Sequence, residues 1–398
     1  MISITYKEKY IYIIATILIF SSYLLNYYIS VFFSFFDIFF AFFLLFRCVN
    51  KGKISISNIQ INSLFIFLYL VVILVVSILK GGSQWVFFGK ETLRFSSFLF
   101  LYFIFLIKEV NREIILKTAL VLCQIHVFYT IYELLYINIF NIGNIEGLIF
   151  GNAIIDFFKG DESSQYFLQQ SELGIPFIRP FGVMLLPQKS GFVFILGYIL
   201  KYRLASEGSK RSYIWYILFA LSTICTGAKT AIVCLFLVII VLELNVYPKI
   251  KYRKRDFVFF YFLFFLLLEL FLYNICDNES VNEHVVVNDV QNDFFALFNM
   301  PILNVFFGSG FLNDDILHLY GFICESYLMR FISQIGWVNF FLVLSASLYV
   351  MRVQNEKYNW VFLALFFCLL IHYFALAPFY LFVLSALLAE LKLEENIK

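Results

Sequence analysis

The sequence predicts an all-α integral membrane protein with about twelve transmembrane helices. Three observations carry that prediction. The 398-residue chain is 62% hydrophobic and only 14% charged, with 54 Phe and 26 Tyr. A water-soluble domain of this length has too little interior to hide so much apolar surface. The apolar residues run unbroken over roughly a span's length without period-two alternation, which favours helices over a barrel. The cations then segregate to one side of the resulting topology.

Apolar runs lie near residues 10–30, 31–46, 61–79, 93–107, 118–137 and 181–200, then near 212–227, 230–247, 257–275, 335–351, 359–376 and 378–392. A helical span takes about 20 residues, so several runs are short and their boundaries soft. The first run lacks a small-residue cleavage site and reads as a retained signal anchor. With the N-terminus inside, the inner segments begin with Lys7, Lys9 and Arg47 and end with Lys392 and Lys398. They collect 21 of the 29 Lys and Arg residues, which predicts both termini in the cytoplasm. Residues 1–398 read as a single polytopic membrane domain without an internal repeat. The net charge of +2 points to no partner by itself, and nothing suggests nucleic acid.

Two extracytoplasmic loops are long, 138–178 and 276–324. The first holds Glu146, Asp156, Asp161, Glu162 and Glu172 against Lys159 alone; the second holds seven acidic residues and neither Lys nor Arg. Loops beyond about 12–15 residues are usually functional or disordered. The apolar patch at 294–311 predicts a short helix lying on the membrane surface. Seven cysteines show no CxxC or metal-ligand spacing, and most sit in apolar runs as packing residues. Cys276 and Cys324 share the second outer loop, and their spacing leaves open whether they are bridged.

Eight cations remain off the inner face: Lys80, Lys90, Arg94, Lys159, Arg179, Lys189, Lys229 and Arg330. Lys80, Lys90 and Lys159 lie in hydrophilic loop sequence and read as solvated charges. Arg94 opens the fourth span, where it either snorkels to the head groups or binds substrate. The stretch Arg179–Gly191, RPFGVMLLPQKSG, concentrates prolines, glycines and cations at the edge of an apolar run. Pro187 is hard to place inside a helix. If the helix starts at Pro187, Lys189 lies in its first turn, where free amides and the dipole favour an anion. If it starts at Pro180, Lys189 is about 14 Å deep and must face an aqueous cavity or a partner. Both geometries describe an anion site.

Lys229 sits in Thr226-Gly-Ala-Lys-Thr230, at the tip of an outer hairpin. Arg330 follows Glu325 by five residues, about 140° of helical rotation, so the two do not share a face and a simple internal salt bridge is disfavoured. His126 and His372 lie in apolar spans as packing residues, and His284 and His318 lack metal-ligand spacing. No metal site, nucleotide loop or Ser-His-Asp set is recognisable.

Taken in order, these features resemble the O-antigen polymerase (Wzy-type) and O-antigen ligase family of bacterial polysaccharide assembly. The resemblance covers the topology of nearly the whole chain and three short motifs. The first is Arg-x-x-Gly-x-x-x-x-Pro, here Arg179, Gly182 and Pro187. The second is a Thr-x-Ser-Arg-Thr-like turn, here Thr226–Thr230 with Ala228 and Lys229 replacing Ser and Arg. The third is Gly308-x-Gly310, followed by a helix from Glu325 ending at Gly336. Lys229 keeps the charge of the family's Arg without its bidentate fork. Ligases of the family place His-Asn where this chain has Glu325-Ser326, whereas polymerases often have an acid there, which favours the polymerase.

The resemblance implies a metal-independent glycosyltransferase without a cofactor, working on an undecaprenyl-pyrophosphate-linked oligosaccharide at the outer face of the inner membrane. Its further partners would be membrane lipid and a chain-length regulator protein. Arg179 would stabilise charge on the leaving pyrophosphate, with Lys229, Arg330, Lys189 and Arg94 as substrate-binding cations. Glu325 would be the base for the acceptor hydroxyl. The alternatives are a ligase transferring polymer to lipid A–core and a lipid-linked oligosaccharide flippase. Transport sites sit nearer the midplane, in repeated folds with broken helices, whereas these cations cluster at the outer face.

Overall fold

The computed structural model describes residues 6–29, 35–50, 58–80, 97–140, 145, 147–157, 179–205, 213–247, 299–308, 327–371 and 377–395. Among them the fold is all-α, as the composition predicts. In chain order the helices are α1 (Tyr6–Phe20), α2 (Ser22–Tyr28), α3 (Phe36–Asn50), α4 (Asn58–Lys80), α5 (97–105), α6 (Arg112–Leu135) and α7 (Gly151–Phe157). Next come α8 (Pro187–Leu204), α9 (Tyr213–Cys225), α10 (Lys229–Leu242), α11 (Ile302–Phe307), α12 (Tyr327–Met351), α13 (Glu356–Ile371) and α14 (Pro378–Glu395). A π-helical turn, Tyr136–Phe140, extends α6. Eleven of the twelve apolar runs coincide with helices; the run near 257–275 lies outside the described residues, as do Cys276 and Cys324.

Among the described residues two helical stretches, Arg112–Ile139 and Ile332–Met351, are long and apolar enough to cross a membrane. The outward faces carry a stronger signal. Large apolar side chains are exposed at helical spacing: Tyr10, Ile14 and Ile17 on α1, Phe39, Phe42, Phe43 and Phe46 on α3, Val121, Ile125 and Phe128 on α6, and Val233, Phe236 and Ile240 on α10. This inverts the pattern of a water-soluble helix, whose apolar stripe faces inward. A surface of this kind suits lipid rather than water.

The chain forms two compact units. One comprises Met1–Ile54, Ile104–Tyr247 and Ala377–Lys398; the other comprises Ser55–Phe103 and Pro248–Leu376. The first is built around α8, whose residues Pro187–Leu200 are all buried beneath α6, α9, α10 and α14. Close approach is possible because two positions have no side chain. A Cβ on Gly197 would stand 2.5 Å from the Phe219 ring of α9 and 2.9 Å from Cys123 Cβ of α6. A Cβ on Gly191 would stand 2.7 Å from Ala231 Cβ of α10. Overpacking a tight interface costs about 1–3 kcal/mol. Gly197→Val should therefore lower the melting temperature in detergent by several degrees, while Val233→Ala on the exposed stripe leaves it unchanged.

One end of this unit is laced by ion pairs. Arg47 at the end of α3 pairs with Glu8 at the start of α1, and Arg203 at the end of α8 pairs with Glu394 at the end of α14. Arg112 donates from Nε to Glu390 at 2.9 Å and from Nη1 to the carbonyls of Phe105 and Ile107 at 2.7 and 2.9 Å. Its guanidinium thus caps the end of α5 while pairing with α14, a task for which a lysine has too few fixed donors. Asn111 caps α6 by accepting from the Ile114 N–H at 3.0 Å. The helix ends gathered here bear the cations that the charge distribution assigns to the inner face.

In the second unit, α12 packs against α4, α11 and α13. Gly336 interrupts α12 with φ 82° and ψ 158°. Gly308, which ends α11, has φ 78° and ψ 153°. A Cβ on Gly336 would stand 2.3 Å from Gly308 N, and one on Gly308 would stand 2.2 Å from the Gln334 carbonyl oxygen. The two backbones touch where both glycines occupy conformations closed to other residues. The short helix expected within the patch at 294–311 is α11, with Ile302 and Leu303 exposed at 72% and 69%.

Candidate functional site

The residues Arg179–Leu186 form a loop rather than the first turns of a span. Helix α8 begins at Pro187, with Leu186 extended at its N-cap position. Of the two starts that the sequence leaves open, this one holds, and the Pro180 start does not. The physical reason is local: proline fits the first helical position, where its missing N–H costs nothing. Gly182 at φ 66° and Leu185 at φ 57° turn the preceding chain out of helical conformation. Lys189 consequently lies in the first turn of α8, yet it is 7% exposed. Arg179 is 2% exposed and is among the largest fully buried side chains of the protein.

What holds the loop is a face of α6. Glu133 accepts from the Phe181 N–H at 3.1 Å and from the Gly182 N–H at 2.7 Å. His126 Nδ1 accepts from the Val183 N–H at 3.4 Å, and Ser190 Oγ donates to the Phe181 carbonyl at 2.6 Å. His126 and Glu133 are seven residues apart, two helical turns, so they point the same way. The imidazole also stacks on Phe194 of α8, with centroids 4.8 Å apart, and meets Phe20 of α1 edge-on. With Nδ1 accepting, the neutral ring carries its proton on Nε2. Gly182 fits here because it lacks a side chain: a Cβ would stand 2.5 Å from both His126 Cε1 and Ser190 Oγ.

Residue 145 and the segment 147–157 pack against this arrangement. Ile145, Leu148, Ala153 and Ile154 form one apolar cluster with Phe181 and Leu185 of the loop and Ile137 beyond α6. The π-helical turn begins at Tyr136, whose side chain runs beside Gly147. Arg179 and Lys189 are both buried, and the cluster packs on Phe181 and Leu185 of the loop that Arg179 begins.

The second motif arrives at the same end of the unit. Thr226 is fully buried; its hydroxyl donates to the Thr223 carbonyl at 2.7 Å and accepts from the Ala228 N–H at 3.4 Å. Gly227 turns with φ 64° between α9 and α10, which form the expected tight hairpin, and Lys229 is the first residue of α10. The approach of Gly191 to Thr226 and Ala231 sets the first turns of α8 and α10 side by side. Arg179, Lys189 and Lys229 are therefore gathered at one end of the first unit. Arg330 belongs to the second unit, on α12 before Gly336. Arg94 and Glu325 lie outside the described residues.

The sequence reading missed Glu133 and gave His126 only a packing role. A signal was available. An acid inside an apolar run is as conspicuous as a cation, but assigning charges by the positive-inside pattern draws attention to cations alone. Glu133 lies 21 residues beyond Arg112, about 32 Å of helix rise. That is a full hydrocarbon thickness from the ion-paired end. Comparison with family models, with curated proteins and with solved structures finds no match.

Proposed function

We propose that this protein is an O-antigen polymerase of the Wzy type, embedded in the bacterial inner membrane by twelve spans, with both termini in the cytoplasm and its site on the periplasmic side. The observation that carries the reading is the meeting of two motifs 47 residues apart. The Arg179 loop and the Thr226–Thr230 turn stand together at the end of the first unit opposite its ion pairs. Three cations concentrated there suit a pyrophosphate, whose charge grows as it leaves.

In the proposed reaction the acceptor hydroxyl of one lipid-linked repeat attacks the anomeric carbon of the donor glycan. The bond from that carbon to the pyrophosphate oxygen breaks, and the electron pair departs with the undecaprenyl pyrophosphate. Glu325 takes the proton from the attacking hydroxyl. Arg179, supported by Lys189 and Lys229, stabilises the charge on the departing pyrophosphate more than that of the ground state. Arg330 and Arg94 complete the set of substrate-binding cations on this reading.

Deleting the gene and resolving the surface polysaccharide on a gel tests this assignment. A polymerase null leaves single repeat units on the lipid A–core. Accumulated lipid-linked polymer would instead identify a ligase, and repeats trapped inside the cell would identify a flippase.

A further inference from the structure

We propose that Glu133 is a positioning residue: its carboxylate grips two successive peptide N–H groups of the loop that carries Arg179, and so sets where the guanidinium stands. The inference rests on the polymerase reading of the site and names a residue on which that reading depends.

Residues 181–185 have no helical or sheet ladder to fix them. Among the described residues their backbone hydrogen bonds to three side chains and closes one turn. Glu133 takes the amides of Phe181 and Gly182, His126 takes that of Val183, and Ser190 donates to the Phe181 carbonyl. The turn is closed by the Leu185 N–H donating to the Gly182 carbonyl at 3.2 Å. Of these, only Glu133 bonds to two residues of the loop, and it does so at the point nearest Arg179. Successive amides turning through a positive-φ residue form a concave anion receptor, and here the receptor is filled by the protein's own carboxylate.

Glu133 is fully buried, so this arrangement is costly to build. An apolar side chain would fill the same volume with less desolvation, but it would leave two interior N–H groups unmet. Glutamine would be nearly isosteric. Its amide offers one acceptor and one donor, so a donor would face one of the two N–H groups. Glu133→Gln therefore removes half of the grip while conserving shape. Arg179 is two residues from the gripped peptide, so a small rotation there shifts the guanidinium by a distance that matters. A misplacement of about 1 Å can cost roughly a hundredfold in rate.

The test uses full-length protein in lipid nanodiscs with a synthetic undecaprenyl-pyrophosphate-linked repeat unit. Hydrogen–deuterium exchange is read on the same samples. We expect Glu133→Gln to raise exchange about tenfold across 179–186, leave 192–200 of α8 protected as in the wild type, and lower kcat about a hundredfold. The double variant with Arg179→Ala should be no slower than Arg179→Ala alone, because Glu133 acts through that residue. Exchange rising equally along α8 would overturn the inference by showing a general structural role. Wild-type kcat, or a double variant slower by the product of both effects, would overturn it too. A wild-type protein that makes no polymer, with the exchange change still confined to the loop, strikes the polymerase reading and with it the catalytic consequence of the grip.

Discussion

Arg179→Ala should lower the rate of chain extension by at least about a hundredfold, the scale seen when one preorganised charge-stabilising donor is removed. In the proposed reaction the pyrophosphate gains charge as its bond to the anomeric carbon breaks, and a guanidinium held in a buried loop needs no reorganisation to meet it. Arg179→Lys keeps the charge but offers a point donor in place of a planar fork, so an intermediate rate is expected. Because Arg179 is 2% exposed, both variants must be compared with the wild type at matched monodispersity and melting temperature. A normal polymer ladder from well-folded Arg179→Ala would remove this residue from the mechanism.

Gly336→Ala should produce the largest structural effect. The glycine holds φ 82° and ψ 158°, a region in which a Cβ costs about 1–3 kcal/mol by conformation alone. The added atom would also stand 2.3 to 2.5 Å from Gly308 N, the Phe306 carbonyl oxygen and the Phe307 carbonyl carbon. None of these is the end of a flexible side chain, so the backbone of α11 or α12 must move. Destabilisation of roughly 3 kcal/mol or more is expected. Deuterium exchange should rise in 299–308 and 327–335 and stay unchanged in α8, which belongs to the other unit. An unchanged pattern would show that the two glycine contacts carry little weight.

The sequence was legible where a physical rule acts on a long stretch. Mean apolar content and run length lead to helices, and the cation bias lead to a common level for Arg47, Arg112 and Arg203, where ion pairs now join the helix ends. Pro187 as a helix start was legible as one of two alternatives, since proline excludes itself from helix interiors. Gly336 as a helix end was also legible, from the third motif. What could not be read was tertiary. The apolar cluster on the Arg179 loop joins Ile145, Leu148 and Ile154 to Phe181 and Leu185, and no local pattern ties those segments together. Likewise Glu133 meets its amides across 48 residues of chain, with no periodic signal linking them. Both are contacts between segments, and only packing decides them.

The most direct measurement is reconstitution of the purified protein in nanodiscs with a single synthetic undecaprenyl-pyrophosphate-linked repeat unit, followed by mass analysis of the products. The polymerase account predicts lipid-linked glycans spaced by whole repeat units, with one undecaprenyl pyrophosphate released for each bond formed. A substrate recovered unchanged by monodisperse, well-folded protein, with no release of undecaprenyl pyrophosphate, would contradict it.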